Sequence, residues 1–175
     1  AVEPGNKFAI ANLGLAYHKA GEYEKALELN EVALKLDPKM TVVFERMAMS
    51  QFKLGQNEAA LKNIEVVLGR HPAYPDGHFN RGIILAKLGR VEESIAAYRK
   101  ALSSGLRPER AASARNSIGA YYSNKGMHAE ALREFEEALR ADDTHLQARR
   151  NKAISLLHLN RRKEAMDEMA LYLAI

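Results

Sequence analysis

The feature that most restricts what this chain can fold into is a period. Gly14, Ala48 and Gly82 stand 34 residues apart, as do Gly21, Gly55 and Gly89, and again Pro4, Pro38 and Pro72. After a short interruption the pattern resumes with Gly119 and Ala153, Gly126 and Asn160, and Ala131 and Ala165. Self-similarity at this length describes a small helical unit that cannot bury its apolar face alone and must stack on further copies. Within each period, apolar residues recur at three- and four-residue spacing up to a Gly or Asn, and a second such stretch follows. This spacing predicts A and B helices at 7–20 with 23–36, 41–54 with 57–70, 75–88 with 91–104, 110–125 with 128–141, and 145–159 with 161–174.

The small residues have a mechanical reason. Gly14, Ala48, Gly82, Gly119 and Ala153 fall in mid-helix, where Gly costs about 1 kcal/mol relative to Ala, so the close approach of a neighbouring helix explains them. Ala26, Ala60, Ser94, Ala131 and Ala165 serve the same purpose on the B helices, opposite larger residues such as Tyr17, Leu85 and Tyr122. The glycines at 21, 55, 89 and 126 can take the left-handed conformation that ends helix A, and Pro38 and Pro72 stop helix B.

Asn12-Leu13-Gly14 with Tyr17, Gly21, Ala26, Ala33 and Pro38 resembles the tetratricopeptide repeat signature, and the resemblance covers essentially the whole chain. It implies an all-α fold, a right-handed superhelical solenoid of five tetratricopeptide helical hairpins, with A helices lining a concave groove and B helices the convex back. The repeats are expected at 7–40, 41–74, 75–111, 112–145 and 146–175, with 1–6 the tail of a preceding repeat or an N-terminal extension. Because Pro4 falls one period before Pro38, the natural protein is expected to extend further toward its N-terminus. The third repeat carries a three-residue longer linker in Ser103–Pro108, where the stacking is expected to bend or open. His78, Arg81, Arg149 and Lys152 stand where apolar residues are common in the family, so looser or wetter packing is expected there. The last helix carries Met166, Met169, Leu171, Leu173 and Ile175 with no polar helix after it. Solenoids normally end on a polar capping face, which points to a continuation or to self-association through the terminal helices, unless the apolar face of this helix is already buried against the A helix before it.

Composition excludes much of the chemistry. Of 175 residues, 47% are hydrophobic and 27% charged, the balance of packed amphipathic helices and not of a disordered segment. With no Cys there is neither a disulfide framework nor a thiolate metal site. No apolar run approaches the roughly 18 residues of a membrane span, and Ala1–Lys7 lacks the basic start and apolar stretch of a signal peptide. The compartment expected is the cytoplasm, with the periplasm left open. There is no HExxH, phosphate-binding glycine loop or nucleophile elbow. The six His are scattered, and carboxylate pairs such as Glu92-Glu93 and Glu136-Glu137 are helix neighbours that point apart. The chain is therefore expected to be no enzyme and to hold no metal or cofactor. Nucleic acid is not the expected partner: the net charge is only +4, and Glu164, Asp167 and Glu168 dilute the basic cluster Arg149, Arg150, Lys152, Arg161, Arg162 and Lys163.

The resemblance also implies that ligand lies across the A helices. The polar rows there are Asn12, Arg46, Asn80, Ser117 and Asn151 and, at the helix ends, Lys19, Lys53, Lys87, Asn124 and His158; between them Phe8, Leu15, Val42, Met49, Phe52, Phe79 and Ile83 predict an apolar groove in the first three repeats. Repeats four and five offer Asn116, Ala120, Ser123 and Arg150, so the groove is expected to be apolar first and polar later. The carboxylate clamp by which some family members hold chaperone tails is absent, because Ala11, Leu15, Arg46, Asp76 and Asn80 occupy its positions. The function expected is a non-catalytic protein-interaction scaffold whose partner peptide or helix carries apolar anchors and acidic residues. The alternatives are a regulatory or substrate-recruiting segment of a larger enzyme, told apart by a catalytic domain in the same gene product, and a self-assembling architectural element, told apart by mass against concentration.

Overall fold

The computed structural model describes residues 6–173, which form ten α-helices and no strand. They are α1 (Lys7–Lys19), α2 (Tyr23–Leu36), α3 (Thr41–Lys53), α4 (Asn57–Arg70), α5 (Pro75–Lys87), α6 (Val91–Ser103), α7 (Pro108–Asn124), α8 (His128–Ala141), α9 (Leu146–His158) and α10 (Arg162–Leu173). The fold class is all-α, and each helix falls where the period predicts it. The expectation for the segment around Pro4, and that for Ile175, lie outside the described residues. The chain divides into two compact units, Ala1–Arg90 and Val91–Ile175, so α1 to α5 belong to the first and α6 to α10 to the second.

Local chemistry sets the helix ends. The Asn6 side chain accepts from the Ala9 amide at 3.1 Å and caps α1, and the His145 Nδ1 accepts from the Ala148 amide at 3.1 Å and caps α9. In two of the four turns from a B to an A helix an aspartate folds the chain: Asp37 accepts from the Lys39 amide at 2.9 Å and Asp142 from the Thr144 amide at 3.0 Å. The turn after each A helix needs a positive φ, and where the other repeats use glycine, Asn160 supplies it at φ 59°, as Asn does more readily than most side chains.

Packing inside the units follows one rule, in which a small A-helix residue makes room for a B-helix side chain. A Cβ on Gly119 would lie 2.5 Å from Phe135 Cε1, so the glycine is what lets the buried Phe135 ring pass under α7. A Cβ on Gly14 would lie 2.8 Å from the Asn30 side-chain oxygen. Ala26, Ala60, Ser94, Ala131 and Ala165 are all buried. The core of the first unit gathers Ile10, Ala11, Ala33, Met40, Val43 and Met47, and that of the second includes Leu132, Leu156 and Ala165.

Two expectations are corrected. The connection between α6 and α7 is no longer than the others: residues 104–107 match 37–40, 71–74 and 142–145 in length. The extra residues are helical instead, since α7 has 17 residues where α1, α3, α5 and α9 have 13, and α6 is one shorter than α4. Pro108 permits this because a proline in the first helical turn loses no intrahelical hydrogen bond. The charged residues at apolar positions in the last repeat, Arg149 and Lys152, are not loosely packed either. Arg149 Nη1 and Lys152 Nζ meet the Glu168 carboxylate at 3.2 and 2.6 Å with all three side chains largely buried, and Arg149 Nη2 donates to the Asp143 carbonyl at 2.6 Å. His78 Nε2 donates to the Pro72 carbonyl at 2.8 Å, and Arg81 lies 3.7 Å from Glu65. The last helix does leave apolar side chains in water, with Met166 71% and Leu173 78% exposed.

Candidate partner-binding groove

In the first unit the predicted rows come from α1, α3 and α5. Phe8 is 62% exposed, with the Lys7 ammonium 5.2 Å from its ring centroid, and Val42 is 48% exposed. Leu15, Met49, Phe52 and Ile83 are half-buried. Phe79 departs from the expectation of an open anchor: it is only 8% exposed and belongs to the core. Lys19, Lys53 and Lys87 are exposed in the last turns of their helices, where a cation also favours the helix through its dipole.

The polar rows are not free ladders, because they tie one repeat to the next. Arg46 Nη1 donates to the Ala11 carbonyl at 2.9 Å and reaches Asn12 Oδ1 at 3.4 Å. Asn80, buried at 5% exposure, donates to Glu45 Oε1 at 3.1 Å. In the second unit Asn151 Nδ2 donates to Asn116 Oδ1 at 2.9 Å. These bonds leave some amide atoms for a ligand but make inter-repeat register the first role of the rows.

His18 was not singled out by sequence. Its Nδ1 lies 2.8 Å from the buried Ser50 Oγ, and Ser50 spends its hydrogen on the Arg46 carbonyl at 3.1 Å, so the imidazole Nδ1–H donates and Ser50 accepts. Burial, and then the Lys53 charge, hold the His18 pKa below its ordinary value. The only sequence signal was position, since His18 lies one period before Phe52.

The second unit has a cavity of about 210 Å3 lined by Ala120, Ser123, Asn124, Phe135, Asn151 and Ile154. Its walls are the predicted rows of α7 and α9, and the Phe135 ring reaches it because Gly119 has no side chain. Arg150 is exposed on α9. The expectation of a merely polar later groove is too narrow, for Ile154 is 37% and Leu157 51% exposed. They occupy the positions of Met49 and Phe52 in the last repeat, and following the period would have found them. Among the described residues no three His, Cys, Asp or Glu side chains gather as metal ligands, and no helix is long and apolar enough to cross a membrane.

Comparison with known proteins fits this arrangement. Tetratricopeptide repeat profiles match residues 8–40, 46–114 and 117–175. The chain belongs to the tetratricopeptide repeat family. It is 30% identical over 163 residues to Protein FlbA of Caulobacter vibrioides, across 89% of this chain and 27% of that protein. It is 34% identical over 83 residues to the photosystem I assembly protein Ycf3 of Prochlorococcus marinus, across 46% of this chain and 48% of that protein. The chain thus spans about a quarter and about half the length of these relatives. A solved structure of MamA from Desulfovibrio magneticus superposes with a TM-score of 0.82 at 14% identity, covering 96% of this chain and 93% of that one. At that identity the likeness shows the shared helical-repeat fold. A tetratricopeptide repeat chain is a protein-interaction scaffold.

Proposed function

We propose that this chain is a non-catalytic adaptor that holds a segment of a partner protein across its A helices, and that the segment carries apolar anchors and acidic residues. What carries the reading is the row Leu15, Met49, Phe52 and Ile83, apolar side chains kept half-open beside the exposed Lys19, Lys53 and Lys87. The second unit by itself offers a cavity in which Ala120, Phe135 and Ile154 stand beside Ser123, Asn124 and Asn151. Desolvated apolar contacts would supply most of the affinity and the lysine edge would speed encounter with an acidic partner. The name of Ycf3 describes an assembly factor, a role of the same kind. The proposed compartment is the cytoplasm.

A photo-crosslinking residue placed in turn at Leu15, Met49 or Ile83 tests this. One adduct of the same mass should form from all three, and none from Glu24 or Glu58, which are exposed on α2 and α4. Adducts from the α2 and α4 positions alone would overturn it. A second reading, self-association through α10, is favoured by the exposure of Met166, Leu171 and Leu173. Sedimentation at increasing concentration tests it: a rise in mass that Leu171→Glu with Leu173→Glu removes supports it, and a constant mass rejects it.

A further inference from the structure

We infer that the second unit carries a binding site of its own, a recess between α6 and α7 that takes the carboxylate of an aspartate or glutamate side chain of a partner protein. The recess measures about 300 Å3 and is lined by Glu92, Ile95, Ala96 and Arg99 of α6 and by Tyr121 and Tyr122 of α7. None of these residues belongs to the rows of the groove, so the site goes beyond the groove reading and does not depend on it.

The charges at the recess are unequally matched. Lys125, four residues after Tyr121, donates to the Tyr121 hydroxyl at 2.6 Å and lies 3.6 Å from the Glu92 carboxylate, whose charge it offsets. Arg99 has no such counterpart. Its Nη2 donates to the neutral Tyr122 hydroxyl at 2.5 Å, its guanidinium carbon lies 6.0 Å from the Tyr122 ring centroid, and among the described residues no carboxylate pairs with it. Each phenol oxygen therefore accepts from a cation, which leaves its own O–H to donate. The recess thus gathers an uncompensated guanidinium and two hydroxyl donors beside Ile95, Ala96 and the two tyrosine rings, whose centroids stand 5.6 Å apart. A carboxylate balances the single excess charge and matches the planar fork of the guanidinium, and the short stem that carries it meets the apolar wall.

Three departures from the period converge at this place. Arg99 stands where Glu31, Glu65 and Glu136 stand in other repeats, a reversal of charge. Lys125 replaces Ala20, Leu54, Leu88 and Leu159, and Tyr121 replaces Ala16, Ser50, Ile84 and Ser155. Stacking does not require the three, since the other repeats stack without them.

The probes are Nα-acetyl-glutamate methylamide, its uncharged glutamine counterpart, acetate and inorganic phosphate, each titrated into the isotopically labelled chain and followed by NMR at the Arg99 Nε–Hε group and the α6 amides. The glutamate probe should give saturable shifts at Arg99 and bind about two- to five-fold more tightly than the glutamine one. It should also bind more tightly than acetate, which lacks the stem, and than phosphate. Arg99→Glu should abolish the glutamate response with an unchanged melt, because three other repeats carry Glu there. Ala96→Trp, which fills the recess and leaves the charges in place, should abolish it too, and it decides the matter should Arg99→Glu disturb the fold. Equal binding of the glutamine probe would reduce the site to an apolar recess and overturn the inference. Acetate or phosphate binding as tightly as the glutamate probe would also overturn it, as would shifts that survive both substitutions, the mark of a diffuse basic surface. Groove crosslinks are a separate readout: their absence beside a responsive recess removes the groove reading, and their presence beside an inert recess removes this inference alone.

Discussion

Asn30 is the least comfortable side chain in the first unit. It is fully buried, and neither its amide nitrogen nor its amide oxygen has a hydrogen-bond partner. At the same place in the following repeats stand Ile64, Tyr98 and Phe135. An unpaired buried polar group costs roughly 1–3 kcal/mol, so Asn30→Leu, close to it in size, should raise stability by about that amount in urea unfolding. Gly119 is the opposite case, a fit too close to alter. Gly119→Ala gains about 1 kcal/mol of helix propensity but drives a methyl into the Phe135 ring, and a net loss in the same measurement, partly restored by adding Phe135→Leu, is expected. His18 makes a third test. Its folded pKa lies below the unfolded value near 6.5, so the unfolded chain binds more protons between the two, and stability present above the unfolded value is lost as pH falls through the folded one. Between pH 7.5 and 5 the melting temperature of the parent should fall further than that of His18→Gln. The rule of small against large was legible in the sequence because the period repeats it. The burial of Asn30 was not, since nothing in a single helix face distinguishes a buried amide from a solvated one.

At the scale of elements, α10 shows how polar groups hold a terminal helix. Its sole fully buried described residue is Ala165, while Glu168 joins it to Arg149 and Lys152 on α9. Removing one partner of a buried ionic cluster costs about 3–5 kcal/mol because the remaining charges lose their compensation. Glu168→Ala should therefore release α10, seen as loss of amide exchange protection over Arg162–Leu173 with α7 and α8 still protected. Protection unchanged in α10 would mean that apolar contacts alone hold it. Sequence reasoning located Arg149 and Lys152 as exceptions but read them as loose packing, because their shared partner lies on the next helix at no fixed spacing. It likewise saw three extra residues before repeat four and put them in a loop. Pro108 starts a helix as readily as it ends one, and here it starts α7.

For the molecule as a whole, the repeat makes stability close to a sum of local terms and neighbour interfaces, which frees the exposed positions of the A helices to vary with the partner. That separation is the account's central claim, and Phe52 and Phe79 test it, being alike in chemistry with Phe52 half-buried and Phe79 in the core. Their places were not distinguishable from spacing, since both were expected on the groove side of their helices and only the packed neighbours decide which ring is covered. The deciding measurement is thermal or urea unfolding of the two single alanine variants beside the affinity of each for the partner identified by crosslinking. Phe52→Ala should keep nearly all of the parent's stability and lose about 2 kcal/mol of binding free energy, whereas Phe79→Ala should lose about 3–5 kcal/mol of stability. Equal loss of stability in both, with no separate binding defect in Phe52→Ala, would contradict the claim that this face is held open for a partner.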